Sequence, residues 1–142
     1  ADSYEQAFEV MRKLRLSKAE ATEQYRLMLF NIIARNQDDH TKNISFLMGK
    51  DGKWQLSPAY DVTYSHNPAG KWTNQHQMSV NSKRDHFSRE ELIDTGRSIS
   101  ISRPEEIIDE VTTAVNSWME FADEAGVKKE VSHEIKKQQR KL

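Results

Sequence analysis

Asp38 and Asn43 stand five residues apart in RNQDDHTKNISFL, residues 35–47, and Asp61 follows Asn43 by eighteen, in AYDV. A carboxylate, an amide and a second carboxylate in that order suit phosphoryl transfer from ATP. One carboxylate orients the attacking hydroxyl and accepts its proton, while an amide and another carboxylate hold magnesium against the phosphates. Magnesium prefers hard oxygen ligands and keeps much of its water, so one Asp and one Asn suffice. Two other chemistries use the same residues. Asp38, Asp39 and His40 together with Asp61 would bind a catalytic metal in a hydrolase, which leaves Asn43 without a role. Asp and Asn also serve in ordinary caps and turns, because they bond their own backbone.

The elements on either side must bring these residues together. Ile44 to Met48 is a short apolar run, GKDG at 49–52 is a turn signal, and Lys53 to Leu56 alternates before Pro58. That pattern predicts a hairpin. A hairpin returns the chain to its start, so Asp61 comes within reach of Asn43. Upstream, Tyr4, Phe8, Met11 and Leu14 have helical spacing over 3–14. SKAE at 17–20 is a capping box for a helix carrying Ala21, Tyr25, Met28, Leu29, Ile32 and Ile33, with Asn36 as its expected left-handed C-cap. Residues 63–75 lack periodicity and form a loop long enough to be functional. HQMSV at 76–80 is a candidate third strand. SREE at 88–91 is a further capping box, and Pro104 opens a helix whose apolar spacing continues through Ile108, Val111, Val115, Trp118, Ala122 and Ala125 to Gly126. The tail reads as a short helix fraying into a solvated basic end. The expected fold class is mainly α with a small β-hairpin, in one domain over 1–142.

Composition narrows the function classes. The chain has 142 residues, 36% hydrophobic and 30% charged, with a formal net charge of −1. That balance lacks the basic footprint of a nucleic-acid binder. There is no cysteine, so disulfides and thiolate metal sites are excluded. No apolar run approaches the ~18 residues of a membrane span, and a cytoplasmic location is expected. The first residue is Ala1 and the first residues already read as helix, so a piece of a longer protein is expected.

Protein kinases arrange a catalytic-loop Asp, an Asn five later, a hairpin and a metal-binding Asp in this order. The usual H-R-D and D-F-G are replaced here by RNQDDH and YDV. N-x-D-D-H-x-K-N-x-S-F-L followed by W-x-L-S-P-A-Y-D-V closely resembles the HipA-like kinases, toxins of bacterial type II toxin–antitoxin modules. The resemblance covers nearly the whole chain and is most specific at residues 36–47 and 54–62. It implies the helical C-terminal lobe of a kinase-like fold, with Asp38 as catalytic base and Asn43 and Asp61 as magnesium ligands. His40 would have a phosphate- or substrate-orienting role, two positions after the Asp where kinases often carry a phosphate-facing lysine, and Lys42 a phosphate contact. It implies Mg2+ and ATP as cofactors, a serine/threonine-bearing protein substrate (an aminoacyl-tRNA synthetase), a DNA-binding antitoxin partner, and an N-terminal kinase lobe. None of the five glycines is clustered, so the ATP-covering loop has no counterpart in this chain, and the piece alone is expected to be inactive.

Plainer readings stand beside these. Asp39 caps the turn or steadies His40. His40 can be a buried, hydrogen-bonded loop histidine, and Lys42 an exposed or capping lysine. Ser57 and Tyr60 are expected to pack or hydrogen-bond locally. Trp72, in the long loop, is a candidate substrate contact. His66 and His76 lack a third zinc ligand of suitable spacing. A non-catalytic interaction module is the remaining alternative.

Overall fold

The computed structural model describes residues 2–142. Helix α1, Tyr4–Lys13, is opened by a capping box in which Ser3 and Gln6 satisfy each other's backbone. It buries Tyr4, Phe8 and Met11. Helix α2, Lys18–Ala34, starts on the Ser17–Glu20 box. Its buried residues Gln24, Tyr25, Met28, Leu29, Ile32 and Ile33 form one broad face, and from Ala21 to Ala34 only Glu23 is exposed, which marks a helix largely enclosed by other elements. A single 3₁₀ turn, Thr41–Asn43, leads into β1, Phe46–Met48, which pairs antiparallel with β2, Trp54–Leu56. The register sets Phe46 opposite Leu56 and Met48 opposite Trp54. The other oxygen of the capping carboxylate, Glu20 Oε1, accepts the Leu56 N–H at 2.9 Å, so the residue that starts α2 also ties down the hairpin. Backbone donors from Ser17 and then Leu56 hold the Glu20 carboxyl below its usual pKa.

The second half is helical: α3, Arg89–Ser98; α4, Pro104–Asn116; α5, Trp118–Glu124; and α6, Lys129–Gln138. Helix α4 lays Ile107, Ile108, Val111 and Val115 against α2. Helix α3 comes close enough that Tyr25 Oη donates to the Leu92 carbonyl at 2.7 Å. Gly96 permits that approach, since a Cβ there would lie 2.7 Å from Pro104 Cβ and 2.9 Å from the Tyr25 ring. The fold is mainly α with a small β-hairpin, as expected, and no helix among the described residues is long and apolar enough to cross a membrane.

Four local expectations need correction. HQMSV buries His76, Met78 and Val80 in alternation, but it bends at Gln77 and Met78 and forms no strand, only isolated bridges at Ser79 and Val80. Its neighbour is the two-residue entry to α1, joined through Tyr4 N to Ser79 O at 3.0 Å and Ser79 N to Asp2 O at 2.9 Å, too short for a ladder. The long final helix breaks at Ser117, which caps both α4 and α5. The apolar face continues across the break, and the new direction packs α5 on α6, where Trp118 Nε1 donates to the Ser132 carbonyl. The left-handed C-cap of α2 is Arg35, at φ 64°, and not Asn36. The basic tail is not wholly solvated: the Arg140 side chain is 7% exposed and reaches the interior.

Candidate active site

The loop after α2 is built residue by residue. Arg35 turns the chain through its left-handed conformation, and Asn36 follows it into the interior at 3% exposure. Asn36 Nδ2 donates to Asn31 Oδ1 at 3.0 Å and to the Asp61 carbonyl at 3.3 Å. Gln37 is fully buried; its N–H donates to the Ser65 carbonyl and its Nε2 to the Thr73 carbonyl, each at 2.9 Å. These bonds fasten the loop at 63–75 beneath the cluster.

The two adjacent aspartates then diverge. Asp39 turns inward at 3% exposure and accepts from Tyr4 Oη at 2.7 Å, His76 Nδ1 at 2.8 Å and the Gln77 N–H at 2.9 Å. Burial first, and then the Asp39 charge, push the Tyr4 hydroxyl well above its usual pKa. Asp38 is half-buried, and its carboxylate has no hydrogen-bond partner among the described residues. Its backbone carbonyl accepts the His40 N–H at 3.0 Å and Asn43 Nδ2 at 3.2 Å.

Asn43 closes the 3₁₀ turn and joins the two loop mouths. The same Nδ2 that holds the Asp38 carbonyl donates to Asp61 Oδ2 at 3.1 Å. Two oxygen acceptors on Nδ2 fix the orientation of the amide. Asp61 sits at φ 53°, a left-handed conformation that Asp tolerates better than most residues. It is held there at its carbonyl by Asn36 and at its carboxylate by Asn43. Tyr60 braces the turn from the far side, donating to the Lys42 carbonyl at 2.7 Å and meeting Ser45 Oγ.

The structure therefore joins the Asn43 amide to the Asp61 carboxylate and to the backbone carbonyl of Asp38. His40 lines the same cleft as Asn43 and Asp61, and its buried Nδ1 has no partner among the described residues. Lys42 contributes its carbonyl to the turn, and its side chain is exposed. Asp39 steadies His76, not His40. His76 is wholly buried and remote from any zinc role, and no group of three or more His, Asp or Glu among the described residues could hold a metal ion. The Asp38–Asp39–His40 set of the hydrolase reading does not form a ligand group among the described residues, and both oxygens of Asp39 are committed to three interior donors.

Sequence reasoning missed Tyr4, Gln37, His76 and Arg140 as supports of this loop. Each bonds to it from a distance along the chain, or points opposite to its polarity, so no local spacing marks it. From Asn43 an open groove of about 760 Å3 runs between α2 and the hairpin, lined by Leu27, Phe30, Ile44, Leu47, Leu56 and Val62 among others.

Compared with known proteins, residues 1–139 match the family model described as HipA-like C-terminal domain. No curated protein and no solved structure matches the chain.

Proposed function

The chain belongs to the HipA-like C-terminal domain family, and from that premise we propose that it carries the catalytic base and metal ligands of a serine/threonine protein kinase. The observation that carries the reading is the Asn43 amide, which bonds both the Asp38 carbonyl and the Asp61 carboxylate. It ties the backbone of the residue for proton acceptance to the carboxylate of the residue for metal binding through one side chain. Asp38 is the base: its carboxylate takes no hydrogen bond from the described residues, so it can accept the hydroxyl proton of a serine or threonine.

The residues present fit a magnesium ion. Asn43 Oδ1 and Asp61 Oδ1 take no hydrogen bond from the described residues, while the other polar atom of each is fixed. Two hard oxygens on neighbouring side chains match magnesium's preference. The bound ion would neutralise charge on the ATP phosphates. His40, which lines the cleft beside Asn43 and Asp61, orients phosphate or substrate, and Lys42 supplies an exposed positive charge nearby. The apolar groove leading from Asn43 is of a size that suits a nucleoside. An N-terminal lobe completes the ATP site, and this lobe alone is inactive. The protein substrate is an aminoacyl-tRNA synthetase and the partner a DNA-binding antitoxin, both carried by the family resemblance, in the cytoplasm.

Magnesium titration of the full-length protein, with and without ATP, tests the reading. Tight metal binding is expected only with nucleotide, and Asp61→Asn should abolish it. Tight manganese or zinc binding without nucleotide would instead support a metal-dependent hydrolase.

A further inference from the structure

Arg140 lies beyond α6, in a stretch that reads as solvated, KKQQRKL. Its guanidinium is nonetheless interior. Nη1 donates to the Ile32 carbonyl and, at 3.0 Å, to His76 Nε2. Nη2 donates to Gln37 Oε1 at 3.1 Å and to Asp85 Oδ1 at 2.6 Å. A guanidinium can only donate, so His76 Nε2 must accept, and the ring hydrogen sits on Nδ1. That hydrogen points at Asp39 Oδ2, 2.8 Å away. The bonds therefore run in one direction, from Arg140 through His76 to Asp39.

We propose that Arg140 is a positioning residue for Asp38: one guanidinium grips both neighbours of that carboxylate, Gln37 directly and Asp39 through His76. The proposal rests on the phosphoryl-transfer reading of Asp38. The Asp38 carboxylate has no partner among the described residues, so its placement is inherited from the residues on either side. Arg140 also closes the end of α2 from which the loop departs. Its backbone N–H bonds the Ile33 carbonyl at 2.9 Å and its side chain the Ile32 carbonyl, two of the carbonyls a helix end leaves open. The last turn of α2 has no basic residue of its own, and Arg140 supplies the cation that its dipole favours. A lysine could not serve four acceptors spread around a planar fork. By contrast, Asp61 is held through Asn36 and Asn43, which the guanidinium does not touch.

The test is steady-state kinetics of the full-length protein carrying Arg140→Lys, Arg140→Ala or His76→Gln. A misplaced base should lower kcat for phosphoryl transfer by about 10- to 100-fold, with KM for ATP changed by less than about twofold. Guanidinium ion added to Arg140→Ala should restore part of the kcat. His76→Gln, which leaves the other Arg140 bonds in place, gives the same split if Arg140→Ala fails to fold. Folded Arg140→Lys and His76→Gln proteins with wild-type kcat would overturn the positioning role while leaving the kinase reading intact. So would a loss of rate that only tracks the folded fraction. A wild-type protein that transfers no phosphate would overturn the kinase reading, and the positioning role with it.

Discussion

Asp39 is 3% exposed and accepts three hydrogen bonds, whereas the carboxylate of Asp38 beside it has no partner among the described residues. Stability should separate them. Asp38→Asn is expected to change unfolding free energy by less than about 0.5 kcal/mol, as at sites that break no network. Asp39→Ala strands buried donors on Tyr4 and His76 and should cost about 3 to 5 kcal/mol. Urea denaturation of the two variants measures both, and equal losses would contradict the assigned roles. Asp85 carries a pH prediction. Burial works to raise its carboxyl pKa, but the Arg140 hydrogen bond, the His86 N–H and the charges of Arg140 and Arg35 outweigh burial, and the pKa is lowered. A lowered folded-state pKa means that Asp85 stabilises the fold above its unfolded value and loses that contribution as pH falls through the folded one. Asp85→Asn should therefore flatten the loss of stability below about pH 4, read from denaturation midpoints across an acid series.

At the scale of elements, local chemistry was legible and direction was not. The boxes at Ser17 and Ser88 and the first-turn Pro104 each lie within a few residues, and each starts a helix as expected. The break at Ser117 was hidden because Val115, Trp118 and Ala122 keep helical spacing across it. The alternation of His76, Met78 and Val80 marks which side chains are buried, but alternation does not reveal whether a partner strand exists, and the segment is not one. Gly96 shows where packing overrides propensity. Alanine is favoured over glycine in a helix by about 1 kcal/mol, yet a Cβ would meet Tyr25 and Pro104 at under 3 Å. Gly96→Ala is expected to destabilise by about 1 to 3 kcal/mol. A melting temperature at or above that of wild type would show that α3 is less tightly seated on α2 and α4 than the structure has it.

Across the whole molecule, the site joins segments far apart in sequence. Asp38 and Asn43 were legible as a pair because one turn holds both, and Asp61 because a hairpin returns to its origin. The supports were not legible: Arg140 reaches Ile32 across 108 residues, and a buried arginine in a basic tail looks in sequence like any solvated one. Hydrogen bonds over such separations depend on how every intervening helix packs. The central claim is that Asp38, Asn43 and Asp61 act as one phosphoryl-transfer site, and its most direct test is phosphate transfer from γ-labelled ATP to a protein hydroxyl by the full-length protein. Magnesium-dependent labelling is expected from wild type, with a fall of about 10²- to 10⁴-fold for Asp38→Asn and retained binding of magnesium and ATP. Equal labelling by wild type and Asp38→Asn, or none from wild type, would contradict the account.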